Sequence, residues 1–208
     1  MVEEIRHRYD KLDKQYIDLL PGIRVKHVEH FSAKMLYFLM REWLIEEDWT
    51  TRGDDSSFQE ELYLHYENAQ IGDEIWFWWR FEKTPPDRST YYKYLLDIDV
   101  HILALKPAEI LHKGTKYKAD FGDCEVRLWG KIMSDQAGTW KKHAVLKHFQ
   151  KLFWKRIYKK NFEMHKRELY SELYRFQEAI KTYFTVTNFL PEQEGQPGFW
   201  PQDKVPAP

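Results

Sequence analysis

The chain has 208 residues, of which 43% are hydrophobic and 31% charged, a composition typical of a globular protein. Its one cysteine, Cys124, excludes an intramolecular disulfide, and no apolar run approaches the roughly 18 residues of a membrane-spanning helix. The net charge of −1 is unevenly distributed, because Lys141 to Arg167 contain ten Lys or Arg and one acid, Glu163. We therefore expect a cytoplasmic protein with no transmembrane segment, in which a basic patch lies on an acidic body.

The N-terminal part of the chain predicts two helices. Apolar residues recur at helical spacing from Glu3 to Leu20, where Pro21-Gly22 ends the pattern. The alternation in Ile23 to Val28 predicts a short strand. A second helix is predicted from His30 to Glu47, with Ser32 near its start as a capping residue.

Beyond residue 60 the apolar period changes to two, which predicts an antiparallel sheet of about five strands. The strands are predicted over Glu61 to Asn68, Glu74 to Lys83, Tyr91 to Leu105, Lys116 to Phe121 and Glu125 to Met133. Lys106-Pro107 is taken to end the third strand, and Gly122-Asp123 is taken as the turn between the last two. A slip of one residue, or a bulge, is the expected source of error in this assignment.

Alternation along these strands assigns their side chains to two faces. The core face collects Leu62, Leu64, Ile75, Phe77, Trp79, Phe81, Leu96, Ile98, Val100, Ile102, Ala119, Phe121, Val126, Leu128 and Ile132. The opposite face collects His65, Glu67, Trp76, Trp78, Arg80, Asp97, Asp99, His101, Lys116, Lys118, Arg127, Trp129 and Lys131. This second face mixes charges with three Trp residues, and it is therefore either a scaffold under the N-terminal helices or a binding surface.

The stretch from Trp140 to Phe184 lacks Gly and Pro and is apolar at helical spacing, which predicts one long amphipathic helix. The predicted fold class is α+β: N-terminal helices, an antiparallel meander, and a long C-terminal helix packed on the sheet. Residues 1–190 form a single domain in this interpretation, and the Pro-rich residues 191–208 form an extended tail. The order of elements resembles the helix-grip architecture of START and Bet v 1 type proteins.

The first half of the predicted helix carries a cationic row, because Lys147, Lys151, Lys155 and Lys159 are each four residues apart. Like charges at this spacing repel, so the acids of the body, a partner subunit, an anionic membrane surface or a polyanion must offset them. The residues predicted to contact a polyanion are Lys142, Lys147, Lys151, Lys155, Arg156, Lys159, Lys160, Lys166 and Arg167, with Trp154 and Tyr158 available to stack on bases.

The second half of the predicted helix continues the apolar stripe through Leu169, Leu173, Phe176 and Ile180. A helix of this length would span about 65 Å, more than the diameter of a compact domain of this size. The overhanging stripe therefore predicts self-association through these four residues, giving a homodimer.

Catalytic chemistry has one weak candidate in the sequence. Asp97, Asp99 and His101 alternate along one strand and so project from the same face, as metal ligands or an acid–base group could. Alternation on a solvated or ion-paired sheet face gives the same pattern, and no phosphate-binding loop, dinucleotide fingerprint, nucleophile elbow or zinc knuckle is present. The expectation is a protein without cofactor or metal that is not an enzyme.

These observations favour a dimeric binding protein that engages RNA, or a ribonucleoprotein such as the ribosome, through its basic amphipathic helix. One alternative is a carrier of small hydrophobic ligands, with a cavity between sheet and long helix as the helix-grip resemblance implies. Large aromatic side chains fill space and argue against such a cavity. The other alternative is a structural interaction protein with no role in nucleic-acid binding.

Overall fold

A computed structural model describes residues 17–52, 60–87, 91–112, 115–134 and 159–186 of the chain. The fold is α+β, as predicted, with one antiparallel sheet and two helices in this part of the chain. The elements are β1 (Ile17–Leu19), β2 (Ile23–Phe31), α1 (Ala33–Glu46), β3 (Thr50–Thr51), β4 (Leu62–Tyr66), β5 (Asp73–Lys83), β6 (Tyr92–His112), β7 (Thr115–Ser134) and α2 (Lys159–Val186). The predicted tail, residues 191–208, and the first 16 residues lie outside the described ranges.

The sheet is a meander of β4, β5, β6 and β7, each antiparallel to the next. β1 and β2 both pair with β7 on its other edge, and β3 pairs with β5 beside β4. The sequence predicted a helix up to Leu20, but Ile17–Leu19 form a strand paired with Lys131 to Met133. Backbone pairing with β7 has therefore overridden the local helical periodicity of these three residues.

The β6–β7 hairpin is longer than predicted, because neither predicted interruption breaks it. Pro107 lies inside β6, in the part beyond Leu105 where β5 no longer pairs with it. With β7 as its one neighbour here, β6 tolerates a proline at a position whose N–H would point to the unpaired edge. Gly122 and Asp123 likewise lie within the continuous strand β7, so the hairpin turn comes after His112 instead.

A bulge marks the point where β6 leaves β5. The register of β6 against β7 shifts between Leu103 and Lys106, and Ala104 has a positive φ of 55°. Gly72, with a φ of 107°, packs against it so closely that a Cβ on Gly72 would lie 2.7 Å from the carbonyl carbon of Ala104. The paired segments Lys106–His112 and Thr115–Ala119, which neither β5 nor β2 joins, therefore leave the body of the sheet as a two-stranded arm.

The predicted sheet faces are right at the centre and wrong near the edges. Tyr63 pairs with Phe77 and packs on the core, so Leu62 and Leu64 project to the opposite face. His65 pairs with the buried Ile75 and shares its face, contrary to the prediction. Phe121 is 45% exposed, because the continuous strand β7 places it on the face opposite the buried Cys124.

The core lies between the sheet, α1 and the inner face of α2. α1 begins at Ala33, three residues later than predicted, because His30 and Phe31 pair with β7 as the end of β2. The Ser32 hydroxyl caps the helix, accepting a hydrogen bond from the Met35 N–H at 3.4 Å. Aromatic side chains fill much of the space between these layers, including Phe77, Trp79 and Phe176. Trp43 of α1 stacks on Phe176 of α2 at 4.5 Å, so the two helices contact each other above the sheet.

The apolar stripe assigned to self-association is part of this core. Leu169, Leu173, Phe176 and Ile180 are at most 1% exposed within a single chain. A methyl group placed at Gly130 of β7 would lie 2.5 Å from Cδ1 of Leu173, so this leucine rests directly on the backbone of the sheet. The stripe is covered by the sheet and α1, and it does not form an overhanging surface for a second copy.

Polar contacts fix α2 along its length. The Tyr94 hydroxyl lies 2.8 Å from Nδ1 of the buried His165, and Arg175 forms two hydrogen bonds with Glu47, of 2.7 and 3.0 Å. At the C-terminal end, Tyr183 donates to the Ser32 carbonyl at 2.7 Å. The described helix has 28 residues, about 42 Å at 1.5 Å per residue, which matches a domain of this size.

The part of the predicted long helix from Trp140 to Tyr158 lies outside the described residues. In the part that is described, neither helix is both long enough and apolar enough to cross a membrane.

Candidate functional site

The outer face of α2 carries exposed cations at its N-terminal end. Lys159, Lys160 and Arg167 are exposed, and in the described part of the chain none of them forms an ion pair. Lys166 is half-buried and has a partner. The other predicted polyanion contacts, Lys142, Lys147, Lys151, Lys155, Arg156, Trp154 and Tyr158, lie outside the described residues.

Two acids lie close to these cations in sequence. Glu163 is one helical turn from Lys159 and is exposed, but no ion pair joins the two. Glu168 has a side chain that is 40% exposed, and it accepts a hydrogen bond from the Tyr94 hydroxyl at 2.9 Å. The start of α2 therefore presents more positive than negative charge on its outer face.

Asp97 lies in a buried ion cluster rather than on a solvated face. Its Oδ1 is 2.8 Å from a guanidinium nitrogen of Arg52, and its Oδ2 is 2.7 Å from Nζ of Lys131. Nε of Arg80 lies 3.9 Å from the same Oδ1 atom. Burial by itself would raise the pKa of Asp97, but the three facing cations outweigh burial and hold that pKa below its ordinary value.

Asp99 and His101 make separate contacts along the same strand. Asp99 is buried and lies 2.9 Å from a guanidinium nitrogen of Arg80. His101 stacks on Trp76 with ring centroids 3.6 Å apart, and its Nε2 is 2.9 Å from Glu74. Hydrogen bonds from Trp76 and then from His101 lower the pKa of Glu74.

The strand pattern Asp97, Asp99 and His101 therefore serves ion pairing and stacking. The two carboxylates are held by Arg and Lys side chains, which leaves no arrangement in which His101 joins them around one ion. Among the residues that the structure describes, no group of three His, Cys, Asp or Glu side chains could hold a metal ion.

The three Trp residues of the second sheet face differ in exposure. Trp78 is 1% exposed, whereas Trp76 and Trp129 are half-buried. Arg24, Glu125 and Arg127 form a charged row across β2 and β7 near them, with Arg24 Nε 2.8 Å from Glu125. The centre of this face, at Trp78 and the ion cluster around Asp97, is therefore buried. Trp76 and Trp129 leave part of the face accessible to solvent.

A cleft that the sequence did not suggest opens between the distal arm and the body. It has a volume of about 600 Å³ and is bounded by the first turn of α1, the start of β5 and the arm. Residues from α1, β4, β5, β6 and β7 line it, and the spacing within any one of these segments carries no signal. The register shift near Ala104 lies beside the cleft.

No protein-family model matches this sequence, and no curated protein matches it.

Proposed function

We propose that this chain is a non-enzymatic, cytoplasmic binding protein that engages RNA, alone or within a ribonucleoprotein such as the ribosome. The contact surface is the basic outer face of α2 together with the basic stretch that precedes it in the sequence. The observation that carries the proposal is the exposure of Lys159, Lys160 and Arg167 without an ion pair in the described part of the chain.

Repulsion between these cations supports a polyanionic partner. Neighbouring like charges on a helix destabilise it by a few tenths of a kcal/mol per pair, and the one described acid among these three cations, Glu163, offsets this cost only in part. Phosphates of single-stranded or structured RNA would offset it, and binding would release counterions from the RNA.

The engagement of acids elsewhere in the body supports the same conclusion. Glu172 is paired with Lys83, and Glu47 with Arg175. Asp97 is enclosed by its own three cations. These carboxylates are already committed to the fold, so they are not free to neutralise the outer face of α2.

Charge reversal at the outer face tests the proposal. The triple variant Lys159→Glu, Lys160→Glu and Arg167→Glu is compared with wild type by fluorescence anisotropy on a labelled single-stranded RNA of about 15 nucleotides, in about 100 mM salt. We expect the affinity to fall at least about tenfold, because three phosphate contacts become repulsive.

A matched control distinguishes the effect of these three positions from the effect of a change in net charge. Lys26→Glu, Lys106→Glu and Lys116→Glu change the net charge equally, and all three lysines are exposed on strands of the sheet and not on α2. The control is expected to lose less than about threefold in affinity. Equal losses in both triple variants, or no measurable RNA binding by wild type, would contradict the proposal.

A further inference from the structure

The cleft beside the distal arm has walls of two kinds. Apolar groups from Ile75, Leu105, Pro107, Ala108 and Ala119 line part of it, and the rest is polar. Its volume of about 600 Å³ lies within the range of small-molecule binding sites. The polar groups therefore decide which chemistry it would accept.

The carboxylates that line the cleft are already engaged by donors of the chain. Asp73 lies 3.1 Å from Nε2 of His65, and its other oxygen accepts from the Asn68 N–H at 3.3 Å. Asp120 accepts from the Ala33 N–H at 3.2 Å. Glu109 is held by Lys116 at 3.0 Å.

Three of the first four backbone N–H groups of α1 are also engaged within the chain. Ala33 donates to Asp120, and Met35 donates to the hydroxyl of Ser32. Leu36 donates to the carbonyl of Ser32 at 3.0 Å.

Two lysines lining the cleft remain without a partner in the described part of the chain. Lys34 projects from the first turn of α1 and Lys118 from β7 in the arm, and neither forms an ion pair or hydrogen bond through its side chain. The cleft thus combines carboxylates that are hydrogen-bonded within the chain, two ammonium groups without a partner in the described residues, and an apolar wall. Because the three carboxylates keep their charge, an anionic group of a ligand would lie at the two ammonium groups, with a short apolar body on the wall.

We propose that the cleft binds a small amphipathic carboxylate, with the carboxylate held between Lys34 and Lys118 and its alkyl chain on the apolar wall. A charge-assisted hydrogen bond to each lysine would orient the head group. Burial of the alkyl chain would supply the remaining affinity. This site is separate from the RNA surface and does not depend on it.

Binding of octanoate, measured by titration calorimetry and by NMR shifts of the methyl groups of Ala33, Ala108 and Ala119, tests the assignment. We expect saturable binding to wild type and at least about fivefold weaker binding to the double variant Lys34→Gln and Lys118→Gln. Lys181→Gln, an exposed lysine outside the cleft, is the matched control and should bind octanoate as wild type does.

Octylamine has the same chain with the opposite charge and should bind more weakly than octanoate. The proposal is overturned if octanoate does not saturate, if it binds the double variant as tightly as wild type, or if octylamine binds equally well. Both lysine substitutions lie at the surface, and unchanged thermal unfolding of the double variant would show that the fold is intact.

Discussion

Asp97 shows how neighbouring side chains, rather than spacing, set the role of a charged residue. Its alternation with Asp99 and His101 is compatible with a site, but Arg52, Arg80 and Lys131 surround its carboxylate within the fold. Removal of one buried charge from such a cluster leaves the other charges uncompensated. The resulting loss of stability is larger than the stabilisation that the ion pairs provide. The cluster is therefore a structural feature with a measurable cost of disruption.

The variant Asp97→Asn should lower the free energy of unfolding by about 3 kcal/mol at neutral pH, as measured by urea denaturation. Asp123→Asn, which removes the partner of the half-exposed Lys26 pair, is the comparison and should cost less than about 1 kcal/mol. Similar small effects from both substitutions would show that the Asp97 cluster is dispensable.

The same variant has a pH signature. The folded-state pKa of Asp97 is depressed, so its contribution to stability is present above the unfolded-state pKa of about 3.9 and is lost as pH falls through the folded-state pKa. The stability difference between wild type and Asp97→Asn should therefore shrink below about pH 4. A difference that stays constant through the acid range would contradict this origin.

At the scale of elements, α2 has two faces with separate roles. The inner face packs Leu173 onto the backbone of β7 at Gly130, where a side chain would collide with it. The outer face carries the exposed Lys159, Lys160 and Arg167. Substitutions on the inner face should therefore change stability, and those on the outer face should change RNA binding.

Leu173→Ala should destabilise the protein by about 3 kcal/mol, and Gly130→Ala by about 2 kcal/mol, in chemical denaturation. The cost of Gly130→Ala should fall in the Leu173→Ala background, because the colliding Cδ1 is then absent. Additive costs would contradict direct packing. An unfolding midpoint that depends on protein concentration would instead indicate that this stripe lies between two copies.

The elements that the sequence predicts well are those whose signals are local. Most of α1 is correctly predicted because its capping Ser32 and its apolar period lie within one segment, although His30 and Phe31 belong to β2 instead. The core strands around Ile98 and Val100 are also correct, since alternation is unambiguous where a strand has neighbours on both edges. In the described part of α2, the apolar residues that recur at helical spacing are also the residues that the structure buries.

The errors have a common physical cause, because each depends on a partner elsewhere in the chain. Pro107 ends a strand only if the edge it lies on is paired, and β5 stops before it. Alternation along the segment predicts Leu62 and Leu64 on the core face, but pairing with β5 places Tyr63 there. The periodicity of the α2 stripe predicts a covered surface but does not say whether the same chain or a second copy covers it.

At the scale of the whole molecule, the exposed Lys159 and Lys160 of the proposed RNA surface and the cleft lie towards opposite ends of α2. Tyr183 contacts Ser32 at the rim of the cleft, and it is 24 residues from Lys159, about 36 Å along the helix axis. This separation exceeds the Debye length of about 8 Å at physiological salt. The two surfaces should act independently.

The double variant Lys34→Gln and Lys118→Gln should therefore bind RNA within about twofold of wild type, since it removes charge far from the outer face of α2. Anisotropy with the same labelled RNA provides the measurement. A loss comparable to that of the triple charge reversal would show that RNA is held by the overall charge of the protein.

The dependence of RNA affinity on salt tests the central claim most directly. Each phosphate contact with a single strand contributes about −0.7 to the slope of log K against log salt concentration. Wild type should show a steep negative slope, and the neutral variant Lys159→Gln, Lys160→Gln and Arg167→Gln a slope less steep by about 2. Identical slopes, or a wild-type affinity indifferent to salt, would contradict a polyanion-binding role for α2.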